Sequence, residues 1–313
     1  MENEKIMQRT DFALAWCWEF DLDFVEKLKE VLKVKKLSFL EITPGNLAEV
    51  KEKLAQDEFE FEVFFDRASD LEEEFEKLTQ MVKQRPIRML NNIDQALWSA
   101  DKATMHLEFL NNGIYVPYTI ILPPFEEKTE LEEIDLSKLG NPFVMKPACG
   151  GGGEGVHLDV RNWEEIERIR QGYYDDKYLV QEKIIPKNLN GKRGWFRVFY
   201  ACGKILPCFQ DDQTKLVEVF LPEFEAQLYN QIEATIKKIA SISNLDIFST
   251  EMALTSSDKL LVIDHVNDQI DLRKKSKFFD GIPDEVVDQI AFQIVNYSGE
   301  FINSKKDEKR IVN

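Results

Sequence analysis

Between residues 1 and 92 the hydrophobic pattern alternates between two periods. Short apolar, β-prone runs occur at Phe12 to Trp18 (FALAWCW), Lys36 to Ile42 (KLSFLEI), Phe61 to Phe65 (FEVFF) and Pro86 to Leu90 (PIRML). Between them lie stretches with 3.6-residue spacing, such as FVEKLKEVLKV, where Phe24, Leu28 and Leu32 share one face. Strands alternating with helices predict a small parallel sheet with crossover helices. FEVFF is apolar at four of its five positions, as a strand covered on both faces would be.

Two amphipathic helices follow, one opening near Asp94 and one near Asp101, which is well placed as an N-cap. Asn111-Asn112-Gly113 supplies the stop for the second. IYVPYTIIL reads as a strand closing on Pro123-Pro124, and Phe125 to Leu139 as an acidic, irregular connection between lobes. From Asn141 the pattern changes to strand pairs with long helices. NPFVMK enters a glycine loop, VHLDV leaves it, and NWEEIERIR is helical. KYLVQEKII, WFRVFYA and KILPCF read as strands, the last two joined at Cys202-Gly203. A helix over Leu221 to Ser243 presents Leu228, Ile232, Ile236 and Ile239 inward; IFSTEMAL and KLLVIDHV form a hairpin through Ser256-Ser257-Asp258. A last helix is expected from about Asp284 to Tyr297, with a frayed tail after Ser304. The fold class is thus α/β in the front third and α+β with antiparallel hairpins behind it.

Composition narrows the function classes. Of 313 residues 43 % are hydrophobic, including 22 Phe and 5 Trp, enough for a packed core. The length suggests about two domains, or one domain with lobes. Forty Lys+Arg against 57 Asp+Glu give a net charge of −17. That charge argues against wrapping nucleic acid or lying on an anionic membrane, because phosphate affinity rests on dense Lys and Arg. No apolar run approaches the ~18–20 residues of a membrane span, and the polar opening MENEKIMQRTD lacks an apolar signal core. Four cysteines without CxxC spacing and three histidines point to neither a disulfide framework nor a Cys/His zinc site. A cytoplasmic location is expected, and a homodimer is the default oligomer.

The densest chemical signal is Cys149 to Gly155, CGGGGEG, with five glycines in seven residues. Gly150, Gly152 and Gly155 satisfy G-x-G-x-x-G, but a dinucleotide site needs a helix N-terminus directly after the loop. Here the alternating VHLDV follows. No Lys-Ser/Thr closes the loop as in a Walker A motif, and no HRD or DFG follows as in protein kinases. A strand–glycine loop–strand rich in backbone N–H donors is suited to covering a triphosphate. The plain alternative is a hairpin with a flexible tip, which one or two glycines would serve at less entropic cost. Lys146, directly before the loop, reads as a phosphate contact or as a snorkelling surface charge.

FVMKPACGGGGEGVHL resembles the glycine-loop segment of ATP-grasp enzymes, and three further segments agree in order. LNNIDQALWSADKATMHLEFLNNGIYVPYTIIL looks like the entry region of that family, YLVQEKII like its adenine hinge strand, and FSTEMAL…KLLVIDHVND like its two metal-bearing strands. The resemblance runs from about Leu90 to Arg273. It implies an ATP-grasp fold in three units: a Rossmann-like domain (1–92), a small glycine-loop subdomain (93–182) and a C-terminal antiparallel-sheet subdomain with a metal site (183–313). By position, Lys102, Lys146, Gly150, Gly151, Gly152, Gly153, Gly155 and Val156 inherit phosphate binding. Glu182, Lys183, Ile184 and Ile185 inherit the adenine hinge. Arg197 matches an arginine that contacts transferring phosphate or acyl phosphate, work that suits a planar, permanently charged fork. The residue two before it is commonly acidic in related ligases and is Trp195 here.

Glu251, Asp264 and Asn267 match the ligands for Mg²⁺ (or Mn²⁺), a hard cation that shares oxygens with phosphates. The family's acid and Asn are two apart, whereas Asp264 and Asn267 are three apart. A bulge between them would reconcile the spacing, with His265 and Asp268 as the other candidates. A basic run follows, DLRKK at Asp271 to Lys275, which reads equally as an anion anchor or a solvated helix start. The resemblance implies an ATP- and Mg²⁺-dependent ligase joining a small-molecule carboxylate to an amine through an acyl phosphate, with release of ADP. Two alternatives stay open: a small-molecule kinase of the same architecture and a non-catalytic nucleotide-binding protein.

Overall fold

The computed structural model describes residues 7–312, with side chains to residue 307. The front of the chain builds β1 (Gln8–Trp16), α1 (Leu22–Lys35), β2 (Phe39–Ile42), α2 (Leu47–Ala55), β3 (Phe59–Arg67), α3 (Glu73–Lys83) and β4 (Arg88–Leu90). All four strands are parallel, in the order β2-β1-β3-β4. The two central strands are sealed on both faces, which is why Phe12 to Ala15 and Val63 to Phe65 form unbroken apolar runs. α2 and α3 cover one face through Leu54, Phe75 and Leu78. α1 covers the other together with the last helix of the chain.

α4 (Ile93–Ala100) and α5 (Lys102–Asn111) follow. Asn92, rather than Asp94, caps α4 by accepting from the Asp94 amide, while Asp101 caps α5 through the amides of Ala103 and Thr104. Next come β5 (Thr119–Leu122), β6 (Phe143–Pro147), β7 (His157–Val160), α6 (Trp163–Ile169) and β8 (Tyr178–Gln181). Their strands form an antiparallel sheet ordered β5-β8-β6-β7. A short hairpin, β9 (Asn188–Leu189) and β10 (Lys192–Arg193), leads to β11 (Trp195–Ala201), β12 (Lys204–Gln210), β13 (Val217–Val219), α7 (Ala226–Ser243), β14 (Ile247–Leu254), β15 (Leu260–Asn267) and α8 (Asp284–Val312). These five longer strands make a second antiparallel sheet, β13-β12-β11-β14-β15. α5 and α7 pack on one face of it, and α8 wedges between its other face and the parallel sheet.

Four boundaries differ from the sequence pattern. β5 begins only at Thr119, because Pro117 has no N–H to give to a ladder. β8 stops at Gln181, where Glu182 makes a last bond to Tyr118 before the chain leaves the sheet. α7 starts at Ala226, since Phe220 and Phe224 pack their rings on Phe209 instead of continuing the helix face. α8 runs on to Val312, held past Tyr297 by buried Ile302 and by Lys305 to Glu62 at 2.6 Å.

Polar ties lock the parallel sheet to the five-stranded antiparallel sheet. Arg67, at the end of β3, is buried and makes a two-pronged pair with Asp21 (both bonds 2.7 Å) while donating to the Ile270 carbonyl at 2.9 Å. Arg88 donates to Asp246 at 2.6 Å. The Asn91 side chain accepts from the Asp246 and Ile247 amides and donates to the Ile247 carbonyl at 2.6 Å. Arg67 and Asn91 thus hold the carboxyl ends of β3 and β4, the edge where such folds bind ligands, against the chain leaving β15 and the start of β14 respectively.

Candidate functional site, a cleft between two antiparallel sheets

β6 carries its apolar run straight into the glycine loop. Gly150, Gly152, Gly153 and Gly155 all have positive φ, from 64° to 95°. At Gly150, Gly152 and Gly153 an added Cβ would meet no atom, so backbone conformation, not crowding, requires glycine there. Gly155 is different: a Cβ would fall 2.5 Å from the Tyr173 ring. The base of the loop is tied to the start of α5 and β8. The Cys149 amide donates to Asp176 at 2.7 Å, the Lys102 amide to Ala148 at 2.9 Å, and Lys177 pairs with Asp101. Burial pushes the Asp101 carboxyl up, but Lys177 and Thr104 outweigh it and hold the group below its ordinary value.

The two lysines meet beneath this loop. Lys102, on the first turn of α5, donates its ammonium to the Gly150 carbonyl. Lys146, 6 % exposed, crosses from β6 to the other sheet and donates to the Ile263 carbonyl at 2.9 Å. Burial depresses its pKa, Asp264 and Glu251 pull it back up, and Lys102 adds repulsion. Three other residues singled out in the sequence, Lys102, Glu251 and Asp264, therefore each lie within electrostatic reach of Lys146.

The face that carries the three candidate metal ligands is built by an irregularity in β15. Glu251 stands opposite Asp264 and Ser249 opposite Asn267, so two steps on β14 match three on β15. The Thr250 hydroxyl donates to the Asp264 carbonyl inside this bulge. His265 and Val266 turn into the core, while Asp264 and Asn267 both stay half-buried. The bulge restores to a three-residue spacing what strict alternation gives residues two apart. Among the described residues neither Asp264 nor Asn267 has a side-chain hydrogen bond, and no group of three or more His, Cys, Asp and Glu could hold a metal. The open donor set is two carboxylates and an amide oxygen. It fits a hard divalent ion that completes its shell with phosphate and water.

His265 is excluded from that set by the same bulge. It is fully buried, stacks on Phe109 with ring centroids 5.5 Å apart, and lies 3.4 Å from His106 between ring nitrogens. Burial, followed by the Lys146 ammonium, drives His106 down to about 4 and His265 below its ordinary value as well. The pair is neutral and ties α5 to β15.

Just past β8, Glu182 exchanges bonds with Tyr118: its amide donates to the Tyr118 carbonyl at 2.9 Å and its carboxylate accepts from the Tyr118 amide at 3.4 Å. Lys183 pairs with Asp159 of β7 at 2.7 Å. Ile184 is half-buried and Ile185 is 76 % exposed, an uncovered apolar side chain beside the cleft. Arg197 stands directly across from Glu251 in the β11–β14 ladder. Among the described residues its guanidinium has no hydrogen-bond partner and lies 5.4 Å from the Phe199 ring.

The DLRKK run does not offer free charge. Arg273 is divided between Asp271 and Asp280, Lys274 pairs with Asp288 at 2.6 Å, and Lys275 donates to the Val217 carbonyl at 2.5 Å. A cavity of about 410 Å³ lined by Arg88, Tyr200, Lys237 and Asp246 lies elsewhere, at the end of α7, and contains none of the cleft residues. Two cleft residues escape a reading by motif: Trp195 and Gln210 both donate to Glu251, at 2.9 and 2.7 Å. The available signal was alternation, which sets Trp195 on the face of Arg197.

No protein-family model matches this sequence, and no curated protein matches it. Solved structures match nearly end to end. D-alanine–D-alanine ligase from Bacillus anthracis, complexed with ATP, superposes with a TM-score of 0.68 at 16 % identity over 95 % of this chain and 99 % of that one. A RimK domain ATP-grasp protein from Sphaerobacter thermophilus gives 0.61 at 19 % identity, over 92 % and 98 %. The ATP-grasp ligase PsnB, complexed with minimal precursor, Mg and ADP, gives 0.62 at 10 % identity, over 92 % and 98 %. The chain has the ATP-grasp fold. No helix among its described residues is long and apolar enough to cross a membrane.

Proposed function

We propose that this chain is an ATP- and Mg²⁺-dependent ligase that activates a carboxylate as an acyl phosphate and joins it to an amine. The observation that carries the reading is the convergence of Lys102, which bonds the glycine loop, and of Glu251 and Asp264, which face each other across a ladder, on the buried Lys146. The folds of ligases complexed with ATP, or with Mg and ADP, support it. Glu251, Asp264 and Asn267 would hold the divalent ion, which supplies charge neutralisation at the terminal phosphates. Lys102 and Lys146 bind the phosphates, the glycine loop amides cover them, and Ile184 and Ile185 flank the base. Arg197, with its fork free, steadies the transferring phosphoryl group.

The γ-phosphorus passes from the β,γ-bridging oxygen to a substrate carboxylate oxygen, leaving ADP. The amine lone pair then attacks the acyl carbon, the carbon–oxygen bond breaks, phosphate leaves, and the nitrogen loses a proton to solvent. Positioning and charge neutralisation are what such transfers need, and no side-chain nucleophile is required. The three sequence units, 1–92, 93–182 and 183–313, would act as acceptor-reading domain, loop-bearing lid and metal base. All four cysteines are free, which supports a reducing, cytoplasmic setting.

The test is ADP release measured over pools of carboxylates and amines, with products identified by mass. Amide product with one phosphate released per ADP is expected. Phosphate retained on a hydroxyl product would instead make the chain a kinase, a reading the paired DLRKK cations already disfavour.

A further inference from the structure

Glu251 is gripped at both oxygens by uncharged donors. The Trp195 indole Nε1–H donates to Oε2 at 2.9 Å and the Gln210 amide Nε2–H donates to Oε1 at 2.7 Å. A carboxylate only accepts, so the Gln210 amide must present its NH₂ here. Gln210 is buried at 4 % exposure, at the end of β12 next to Phe209, whose ladder partner Phe196 adjoins Trp195. The two donors thus approach from adjacent strands on the far side of Glu251 from Asp264, its partner on β15. Arg197 sits across the ladder and makes no hydrogen bond to this carboxylate.

This arrangement has a chemical consequence. Each oxygen has about two acceptor sites, so one donor apiece fixes the long, flexible side chain and leaves a lone pair on each oxygen. Neither donor carries a charge, so neither competes as a cation for this side chain. We propose that Trp195 and Gln210 are positioning residues that lock Glu251 toward a divalent metal ion. The inference rests on the metal reading of the cleft given above.

The test uses the full chain with Mn²⁺ or Mg²⁺ and the non-hydrolysable analogue AMPPNP. Trp195→Phe keeps the ring and deletes the donor, Gln210→Met deletes the other, and Glu251→Gln is the reference. Loss of an outer-shell partner should weaken Mn²⁺ affinity about 10- to 100-fold in Trp195→Phe and in Gln210→Met, with metal-free AMPPNP affinity unchanged. In ¹⁵N-indole-labelled wild type, which has 5 Trp, the Nε1–H resonance absent from Trp195→Phe should move as Mg²⁺ is added. A merely structural role would not move it. Unchanged Mn²⁺ affinity in Trp195→Phe and Gln210→Met, with affinity lost in Glu251→Gln, overturns this inference and leaves the metal reading standing. Should one variant not fold, the other carries the comparison. Full Mn²⁺ affinity in Glu251→Gln overturns the metal reading itself.

Discussion

Replacing Lys146 by Met separates phosphate binding from structural bracing. Met fills the volume of the lysine stem and removes the ammonium. In the free protein that ammonium has one hydrogen bond, to the Ile263 carbonyl, and lies almost out of contact with water. Losing a hydrogen bond from a charged group costs about 1.5–3 kcal/mol. Removing a buried charge returns a desolvation penalty of several kcal/mol. The depressed pKa shows that desolvation outweighs the help from Asp264 and Glu251, so the free variant should be as stable as wild type or more so. ATP affinity should fall about 10- to 100-fold, the loss of one charge-assisted bond to phosphate. The sign with pH follows. The unfolded lysine keeps its proton up to its ordinary value of 10.5 while the folded one releases it earlier. Stability therefore rises with pH between the lowered folded pKa and 10.5 in wild type only. Phosphate favours the charged form, so ATP binding takes up protons in that window, read by calorimetry in buffers of different ionisation enthalpy. A variant that loses more than about 3 kcal/mol of stability while ATP affinity is untouched would make Lys146 a brace between sheets and refute the reasoning.

Gly155→Ala should impair nucleotide binding and lower stability, because its Cβ would strike Tyr173 at positive φ; Gly151→Ala, at ordinary φ in open space, should leave the melting temperature alone. Thermal shifts with and without Mg²⁺·ATP distinguish the two. Arg67→Met strands Asp21 in the core and should cost about 3–5 kcal/mol in urea unfolding, with Asp21→Asn showing a smaller loss. His106 has a folded pKa of about 4 against 6.5. The unfolded chain therefore binds the proton first as pH falls from 6.5 to 4, and His106 removes roughly 3 kcal/mol of stability across that window. His106→Leu should flatten the pH dependence of the melting temperature there, and an unchanged slope would place the titration on other groups.

Local chemistry is written plainly in this chain. The alternation of strand and helix periods in residues 8–90, the Asp101 cap, the Asn112 stop, the Cys202-Gly203 turn and the five-glycine loop each depend on neighbours a few positions away. For that reason the parallel sheet and the antiparallel hairpins were legible, whereas the lysines, acids and arginine of the candidate site were named by resemblance. Element ends were less so: α8 continues to Val312 because Lys305 and Lys306 find Glu62 and Asp11, residues more than two hundred positions earlier. The cleft depends most on distance along the chain. That Asp264 and Asn267 face the same way needs a bulge against β14, and that Glu251 is oriented needs donors from β11 and β12. The basic run after β15 read equally as an anion anchor or a solvated helix start, and acids up to fourteen positions on pair its Arg273 and Lys274. Periodicity and capping are properties of one segment, whereas register, charge pairing and burial arise only when separate segments meet.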